Sequence, residues 1–316
     1  MRSFDIKRHM NADSMHDVTE LIDAAWRADG ARPLNDHLWL DLRDGGREGF
    51  AGIIAREEGR SHIVGYCQVS RGNESWALDL IVHPHDRYDT LEIAPELMMT
   101  ALEVVATEGG GHVHWWVFEP NRAHHQIATA VGLRPGRRLL QMRRPLPLSA
   151  AETAEVEGFP VQTFRPGVDE PEWLELNNAA FARHPEQGGW TAETLSSRMR
   201  QDWFDPSGFV LHRHGGALAG FCWTKIHRDT SDIHGGTPGT VGEIYVIAID
   251  PALSGRGLGR KMAIAGLVAA HRNGATEAML YVDAGNTPAV SMYTALGFTV
   301  HHEEHSFIGD VAAKGR

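Results

Sequence analysis

The stretch LSGRGLGRKMA, Leu253 to Ala263, sets three alternating glycines ahead of a run with helical apolar spacing. Glycines so placed leave backbone N–H groups uncovered where a helix begins, and such a place suits a phosphate. Arg256, Arg260 and Lys261 add positive charge to the helix-start dipole. Upstream, Glu243 opens the apolar run GEIYVIAI (242–249), and a carboxylate there is able to take a proton from an amine. Position alone fits a surface carboxylate at a strand start equally well. Tyr293 stands in VSMYTALGF (290–298). Its phenol, with an ordinary pKa of about 10, can protonate a leaving group. The ring can as well pack on a sheet from that helix's apolar face, and spacing does not choose between the two.

Two other chemistries fit poorly. Five residues, including Pro251, separate the strand from Gly255, whereas a dinucleotide-binding strand runs almost straight into its loop. No Gly-Lys-Ser/Thr follows, so this is no triphosphate loop either. HHEEH (301–305) satisfies a zinc-peptidase pattern only on a helix. It follows LGFTV in a strand context, where residues i and i+4 stand about 13 Å apart.

The elements that must position these groups belong to a chain of 316 residues, long enough for two domains at roughly 100–200 residues each. With 42% hydrophobic and 22% charged residues it has an ordinary globular composition. A formal net charge of -11 and the lack of a basic face argue against a nucleic-acid partner. The N-terminus has no apolar core and no stretch approaches a membrane span, so a cytoplasmic location is the expectation. Cys67 and Cys222 are too few for a disulfide framework or a zinc cluster, and each reads as a small buried hydrophobe. No metal is expected.

The chain repeats itself. HIVGYCQVSRG (62–72) matches ALAGFCWTKIH (217–227), LIVHPHDR (80–87) matches IAIDPALS (247–254), and EPNRAHHQIATAVGL (119–133) matches AGNTPAVSMYTALGF (284–298). Cys67 and Cys222, His83 and Asp250, and Gly132 and Gly297 are thus 155, 167 and 165 residues apart. A repeat of half the chain is a duplicated domain rather than a solenoid unit. PLPLSAAETAEVEGFP (145–160) reads as an exposed linker, giving domains at 1–145 and 161–316 with 146–160 between them. In the second half EWLELNNAAFA is a helix, GFVLHRHGG and ALAGFCWTKIH a hairpin, and GEIYVIAIDP a central strand. GRKMAIAGLVAAHRNG is a long helix closed near Gly274, AMLYVD a strand, TPAVSMYTALG a helix and FTVHHEEHSFI the last strand.

The order strand, Asp-Pro, Gly-x-Gly-x-Gly loop, long helix, strand, Asn, helix and YTALGF resembles the GNAT superfamily of acetyl-CoA-dependent N-acetyltransferases. Its loop pattern Gln/Arg-x-x-Gly-x-Gly/Ala is matched by Ser254 to Gly259 except at the first position, where Ser254 stands. LNNAAFARHPEQGGWT, WFDPSGF, FCWTK, GEIYV and RRLLQMRRPLP are similar to a tandem-domain branch of that superfamily. That branch acetylates the cysteinyl amine of 1-D-myo-inositol 2-(L-cysteinylamino)-2-deoxy-α-D-glucopyranoside. A related amino sugar or another small-molecule amine stays open as the acceptor.

The resemblance implies an α/β (α+β) fold of two tandem GNAT-like domains, each a mixed, mostly antiparallel sheet flanked by helices. It implies acetyl-CoA as co-substrate, a small aminoglycoside acceptor, no nucleic-acid or membrane partner, and a monomer. Glu243 becomes the general base and a substrate contact, and Tyr293 the general acid. Acetyl-CoA falls to Ile247, Ala248 and Ile249 on the splayed strand, to the loop Ser254, Gly255, Arg256, Gly257, Leu258, Gly259 and Arg260, and to Asn286, Thr287, Pro288, Ala289, Val290 and Ser291. The glycoside falls to Asp36, Glu186, Lys225, Glu243 and Tyr281. The Gly/Asp/Thr-rich stretch between Lys225 and Glu243 reads as a covering loop or a tolerated insertion.

The first half has no glycine from Asn73 to Thr107, and Asp86, Asp89 and Glu92 replace the loop with acidic side chains that would oppose a pyrophosphate. It reads as a degenerate, non-catalytic copy. In the superfamily branch this half can hold acetyl-CoA through Leu80, Ile81 and Val82. A protein in which both halves merely bind acyl-CoA would leave Glu243 and Tyr293 without a purpose.

Overall fold

The computed structural model describes residues 2–30, 33–34, 36–72, 75–182, 188–228 and 239–315, without the side chains of Asp36, His37 and Leu40. In chain order it runs β1 (Arg2–Lys7), α1 (Ala12–Asp29), α2 (Asp36–Arg43), β2 (Phe50–Glu57), β3 (Gly65–Arg71), β4 (Ser75–Val82), α3 (Thr90–Thr107), β5 (Gly111–Phe118), α4 (Arg122–Ala130) and β6 (Arg134–Pro145). There follow α5 (Ala150–Ala154), β7 (Gln162–Thr163), α6 (Glu170–Ala180), α7 (Ala192–Met199), β8 (Phe209–His214), β9 (Ala217–His227), β10 (Val241–Ile249), α8 (Leu258–Arg272), β11 (Glu277–Asp283), α9 (Thr287–Ala295) and β12 (Thr299–Val311). The mixed, mostly antiparallel architecture is the one expected from sequence.

Over the described residues, one compact unit holds the chain up to Leu139 together with the segment from His302 on, and the other runs from Leu140 to His301. Both boundaries fall inside strands, β6 and β12. In the repeat these two strands correspond, since each begins two residues after its glycine of the Gly132 and Gly297 pair. Each nevertheless serves the other half's sheet. From Glu304↔Phe118 to Val311↔Gly111, β12 pairs antiparallel with β5, and β6 lies beside β11. The units therefore depart from the boundaries 1–145 and 161–316. A repeat locates copies along the chain but says nothing about which sheet edge a final strand joins.

The first unit has strand order β1-β2-β3-β4-β5-β12, and the second β6-β11-β10-β9-β8-β7. Successive side chains on a strand point to opposite faces, so each sheet builds two cores. In the first unit Ile53, Cys67, Leu78 and Val113 meet Leu97 and Met98 of α3, while Ile54 and Tyr66 meet Val18, Leu21 and Leu38 of α1 and α2. In the second, Cys222, Ile244 and Leu280 pack under Met262 and Leu267 of α8, whereas Phe209, Phe221 and Trp223 form an aromatic layer with Trp173 of α6 and Leu195 of α7. Burying such side chains stabilises by about 1.5–3 kcal/mol each, enough for this layer to fix β9 and the residues it carries. Helix α8 approaches β9 so closely that a Cβ at Gly266 would stand 2.2 Å from Cys222 Sγ. Burial pushes the Cys222 thiol up to about 12, as befits a packing residue rather than a nucleophile.

The stretch read as a linker carries structure. Ser149 and Glu152 form a reciprocal capping box on α5, and Leu146, Val156 and Phe159 pack into the α8 core. Arg144 holds this segment, with Nη1 donating to Glu152 Oε1 at 2.6 Å and also to the Leu296 carbonyl.

Candidate active site

Glu243 enters the site through strand register. In β9 and β10 it stands directly opposite Lys225, and His227 follows two residues further on the same face of β9. Only 13% of the Glu243 side chain is exposed, and its Oε2 lies 2.8 Å from Nε2 of the buried His227. With Glu243 ionised, the bond requires the Nε2–H form of His227, because a carboxylate has no proton to donate. Lys225, 8% exposed, directs Nζ over the Trp203 ring at 5.3 Å from its centroid.

The ladder then breaks. Ile244 pairs with Thr224 and Val246 with Trp223, leaving Tyr245 as a bulged residue. A bulge adds one unpaired residue, increases the local twist and re-aims a side chain. Tyr245 accepts a hydrogen bond from Arg198 Nε at 3.1 Å and meets Trp203 and Trp223 edge-on. Burial pushes its phenol up, and Arg198 partly offsets this.

On its other side β10 runs parallel to β11 only from Val241↔Glu277 to Ile244↔Leu280, although both strands continue. Beyond Ile244 the edge of β10 toward β11 therefore has no ladder partner, and alternate backbone groups through Ile247, Ala248 and Ile249 face the gap. This is the splay expected from sequence. Glu243 shares its face with Met279, and by alternation with Tyr281. The Tyr281 hydroxyl accepts from Gln141 Nε2 at 2.9 Å, Gln141 Oε1 accepts from Arg143 Nε at 2.9 Å, and Arg143 pairs with Glu277 at 3.2 Å.

At the far end of β10, Asp250 Oδ1 accepts from the Ala252 N–H and caps the 3-10 turn Pro251–Leu253. Ser254 follows, and then Gly255 and Gly257 adopt φ +78° and +77°, a backbone region that strains any residue with a Cβ. No atom lies within 4 Å of a Cβ built at either glycine, and no side chain caps α8 at Gly257. The first-turn N–H groups at Leu258, Gly259 and Arg260 are left for a ligand, as a pyrophosphate requires. Arg256 is exposed beside them. Arg260 is not free to help, because its Nε and Nη2 grip both oxygens of Glu155 at 2.7 Å. Lys261 lies over the Phe159 ring, 5.6 Å from its centroid.

Asn286 caps α9 through the Ala289 N–H, and Thr287, Pro288, Val290 and Ser291 form the exposed or half-buried first turns. Tyr293 faces inward, 5% exposed and packed edge-on against Phe298. Burial, and then Cys222, push its phenol well above the ordinary value, which keeps it protonated at neutral pH.

Not every expected residue can be placed. Glu186 and most of the stretch between Lys225 and Glu243 lie outside the described residues, and Asp36 opens α2 with its side chain outside them. In the first unit, Leu80, Ile81 and Val82 lie past the end of the β4–β5 ladder, which stops at Leu78↔Trp115. Asp86 does not face outward toward a phosphate; it is buried beneath His62 and His83. HHEEH lies on β12, a strand as expected. His227, Tyr245, Arg198, Gln141 and Arg143 escaped the sequence reading. Period-2 alternation from Lys225 was the one available pointer, and it leads to His227.

The sequence model of the Acetyltransferase (GNAT) family matches residues 171–298, spanning the bulged strand, the glycine loop and α9. A tandem GNAT protein from the clavulanic acid biosynthesis pathway superposes with a TM-score of 0.66 at 16% identity over 100% of both chains. A GCN5-related N-acetyltransferase from Sphaerobacter thermophilus superposes with a TM-score of 0.65 at 21% identity, covering 99% of this chain and 97% of that one. Fold, splay and loop thus define a GNAT acetyltransferase with two tandem units. The mycothiol acetyltransferase of Thermobispora bispora is 41% identical over 284 residues, 89% of this chain and 91% of its own. That of Acidimicrobium ferrooxidans is 39% identical over 289 residues, 91% of each. The chain belongs to the mycothiol acetyltransferase family, also called mycothiol synthases.

Proposed function

We propose that the protein transfers the acetyl group of acetyl-CoA directly to the cysteinyl amine of 1-D-myo-inositol 2-(L-cysteinylamino)-2-deoxy-α-D-glucopyranoside, forming mycothiol and CoA. The observation that carries this reading is the Lys225, Glu243 and His227 group at the head of the splayed strand, in a chain about 40% identical to mycothiol acetyltransferases. An α-ammonium group has an ordinary pKa of about 7.7–8.0, so a modest base suffices to neutralise it. Glu243 takes that proton, directly or through a water, while His227 holds one of its oxygens and leaves the other for the amine. The amine nitrogen bonds the thioester carbon, the C–S bond breaks, and Tyr293 protonates the departing thiolate, while the second N–H proton, shed as the amide forms, passes through water and restores Tyr293. Backbone amides near Ile247 to Ile249 meet the carbonyl oxygen as it gains charge. The loop from Ser254 to Arg260 and the start of α9 hold the pyrophosphate, pantetheine and adenosine portions.

Lys225 and Tyr281 contact the glycoside in this reading, with Glu186 and Asp36 completing the acceptor site. The first unit is non-catalytic, and Leu80 to Val82 are the candidate for a second acetyl-CoA. Calorimetric stoichiometry counts the acetyl-CoA sites. A monomeric state and a cytoplasmic location complete the reading and are checked by light scattering and cell fractionation. No helix of the described residues is long and apolar enough to cross a membrane.

The deciding experiment incubates the protein with acetyl-CoA and the cysteinyl glycoside, using glucosaminyl-inositol and other amino sugars as controls. Chromatography follows acetyl-CoA loss and mass spectrometry identifies the product. N-acetylation of the cysteinyl amine alone is the expected result. Turnover of a control amine, with none of the cysteinyl glycoside, rejects the acceptor and retains the acetyltransferase.

A further inference from the structure

Three metal-ligating side chains converge in the first unit, away from the site above. His62 precedes β3, His83 follows β4, and Asp86 lies in the 3-10 turn Pro84–Asp89. One ligand atom from each, a ring nitrogen of His62, a ring nitrogen of His83 and a carboxylate oxygen of Asp86, lies within 4.8 Å of the others. Asp86 Oδ2 stands 2.7 Å from His62 Nε2 and 3.7 Å from His83 Nδ1. The carboxylate is 1% exposed, yet its second oxygen, Oδ1, accepts no hydrogen bond. Arg60 Nη2 comes within 3.3 Å of that oxygen without the alignment of a hydrogen bond. A buried carboxylate oxygen left so is destabilising, and a cation placed beside it relieves that cost.

We propose that His62, His83 and Asp86 form a binding site for a divalent transition metal of the zinc class. Two imidazole nitrogens and one carboxylate oxygen are a donor set that zinc accepts. Tetrahedral bonds of about 2.0–2.2 Å separate ligand atoms by roughly 3.3–3.6 Å, and the observed 2.7 and 3.7 Å straddle that spacing. The imidazoles of His62 and His83 stack at 4.0 Å with 27° between their planes, so both ligating edges lie close together, and coordination requires the rings to turn until their in-plane lone pairs converge. His83 Nδ1 accepts from the His85 N–H at 3.2 Å, which shows an unprotonated nitrogen facing the cluster, and coordination replaces that bond. A water or the His85 ring, 5.0 Å from the His83 ring, supplies the fourth ligand. Arg60 is the resident cation that the metal displaces. It is 36% exposed and already shared with Tyr88 and Glu57. The site ties the segment before β3 to the turn after β4, at the place where the second unit keeps its phosphate loop. This goes beyond the metal-free expectation from sequence.

The test uses the full chain, stripped with a chelator and titrated with Zn²⁺ alone by calorimetry. One site per chain is expected, weakened at least tenfold in His62→Ala and in His83→Ala. Both positions are partly exposed, and circular dichroism confirms that each variant folds. Cobalt(II) gives the intense visible absorption of a tetrahedral site in the native protein and loses it in the variants. Arg60→Ala tightens zinc binding, because it removes the competing cation. Absence of Zn²⁺ binding overturns the proposal. So does equal affinity in the His62→Ala/His83→Ala double variant, since some of the other histidines then hold the ion.

Discussion

In the second unit β10 sets Glu243 opposite Lys225 and then bulges at Tyr245, whereas in the first β4 follows β3 in unbroken register from Gly65↔Val82 to Arg71↔Trp76. Each strand pairs in parallel with its neighbour over four residues, ending at Ile244↔Leu280 and at Leu78↔Trp115. Aligned on those ladder ends, Glu243 corresponds to Ala77, Lys225 to that residue's partner Ser70, and His227 to Gly72. The repeat spacing likewise matches Tyr293 to Ala128. Where the second unit has open glycine amides for an anion, the first has a buried carboxylate under two imidazoles. The apolar alternation that builds both cores tolerates all of these differences. In the proposed function, chemistry depends on one bulge, one loop and a few polar side chains, and such a site can be lost without loss of the fold.

The largest test of this contrast places the first unit's residue in the second. Glu243→Ala is expected to lower kcat by about 10²–10⁴, the usual contribution of a positioned base, and to leave acetyl-CoA affinity unchanged. Steady-state kinetics beside calorimetry separate the two effects. A kcat within a few-fold of the native value would mean that Ala77 and Glu243 do not mark the functional difference.

Tyr293→Phe keeps the packing against Phe298 and removes only the hydroxyl, with an expected fall in kcat of roughly tenfold to a hundredfold. Because burial raises the phenol, it holds its proton throughout the neutral range, and its own titration enters the kcat profile only on the far basic side. A basic limb near neutrality that disappears in Tyr293→Phe contradicts that order. Gly257→Asp adds a Cβ where φ is +77° and a charge where phosphate would bind, and it is expected to weaken acetyl-CoA at least tenfold by calorimetry. Asp89→Ala at the corresponding turn of the first unit should leave that binding unchanged.

Local pattern made much of this legible. The 3.6-residue spacing from Leu258 identified α8, and the glycines before it marked an uncapped helix start. Strand pairing was not legible. Glu243 and Lys225 were each named from the sequence, but a stretch of unrelated composition separates them, and the register of β9 and β10 is what shows them as neighbours. Tyr245 looks like one apolar residue among several until the ladder shows it unpaired. The placement of β6 and β12 escaped the repeat for a similar reason, since either final strand satisfies the alternation of either sheet edge. Asp86 counted as a surface acid because a single carboxylate in a polar turn gives no sign of the histidines that cover it.

The smallest expected effect separates two arginines that the sequence treats alike. Arg256 and Arg260 flank the same glycines, yet Arg260 is held by both oxygens of Glu155, and this pairing lowers the pKa of Glu155 and raises that of Arg260. Of the two arginines, Arg256 is the exposed one beside the loop. A solvent-exposed ion pair, here between a guanidinium and a phosphate, is worth about 0.2–1 kcal/mol. Arg256→Ala should therefore weaken acetyl-CoA roughly twofold to fivefold, with the difference shrinking at high salt. Arg260→Ala should change it less, and Glu155→Ala should tighten binding slightly by releasing the guanidinium toward the phosphates. If Arg260→Ala instead exceeds Arg256→Ala, the Glu155 clamp opens when acetyl-CoA binds, and the loop recruits its charge from α8 rather than presenting it ready-made.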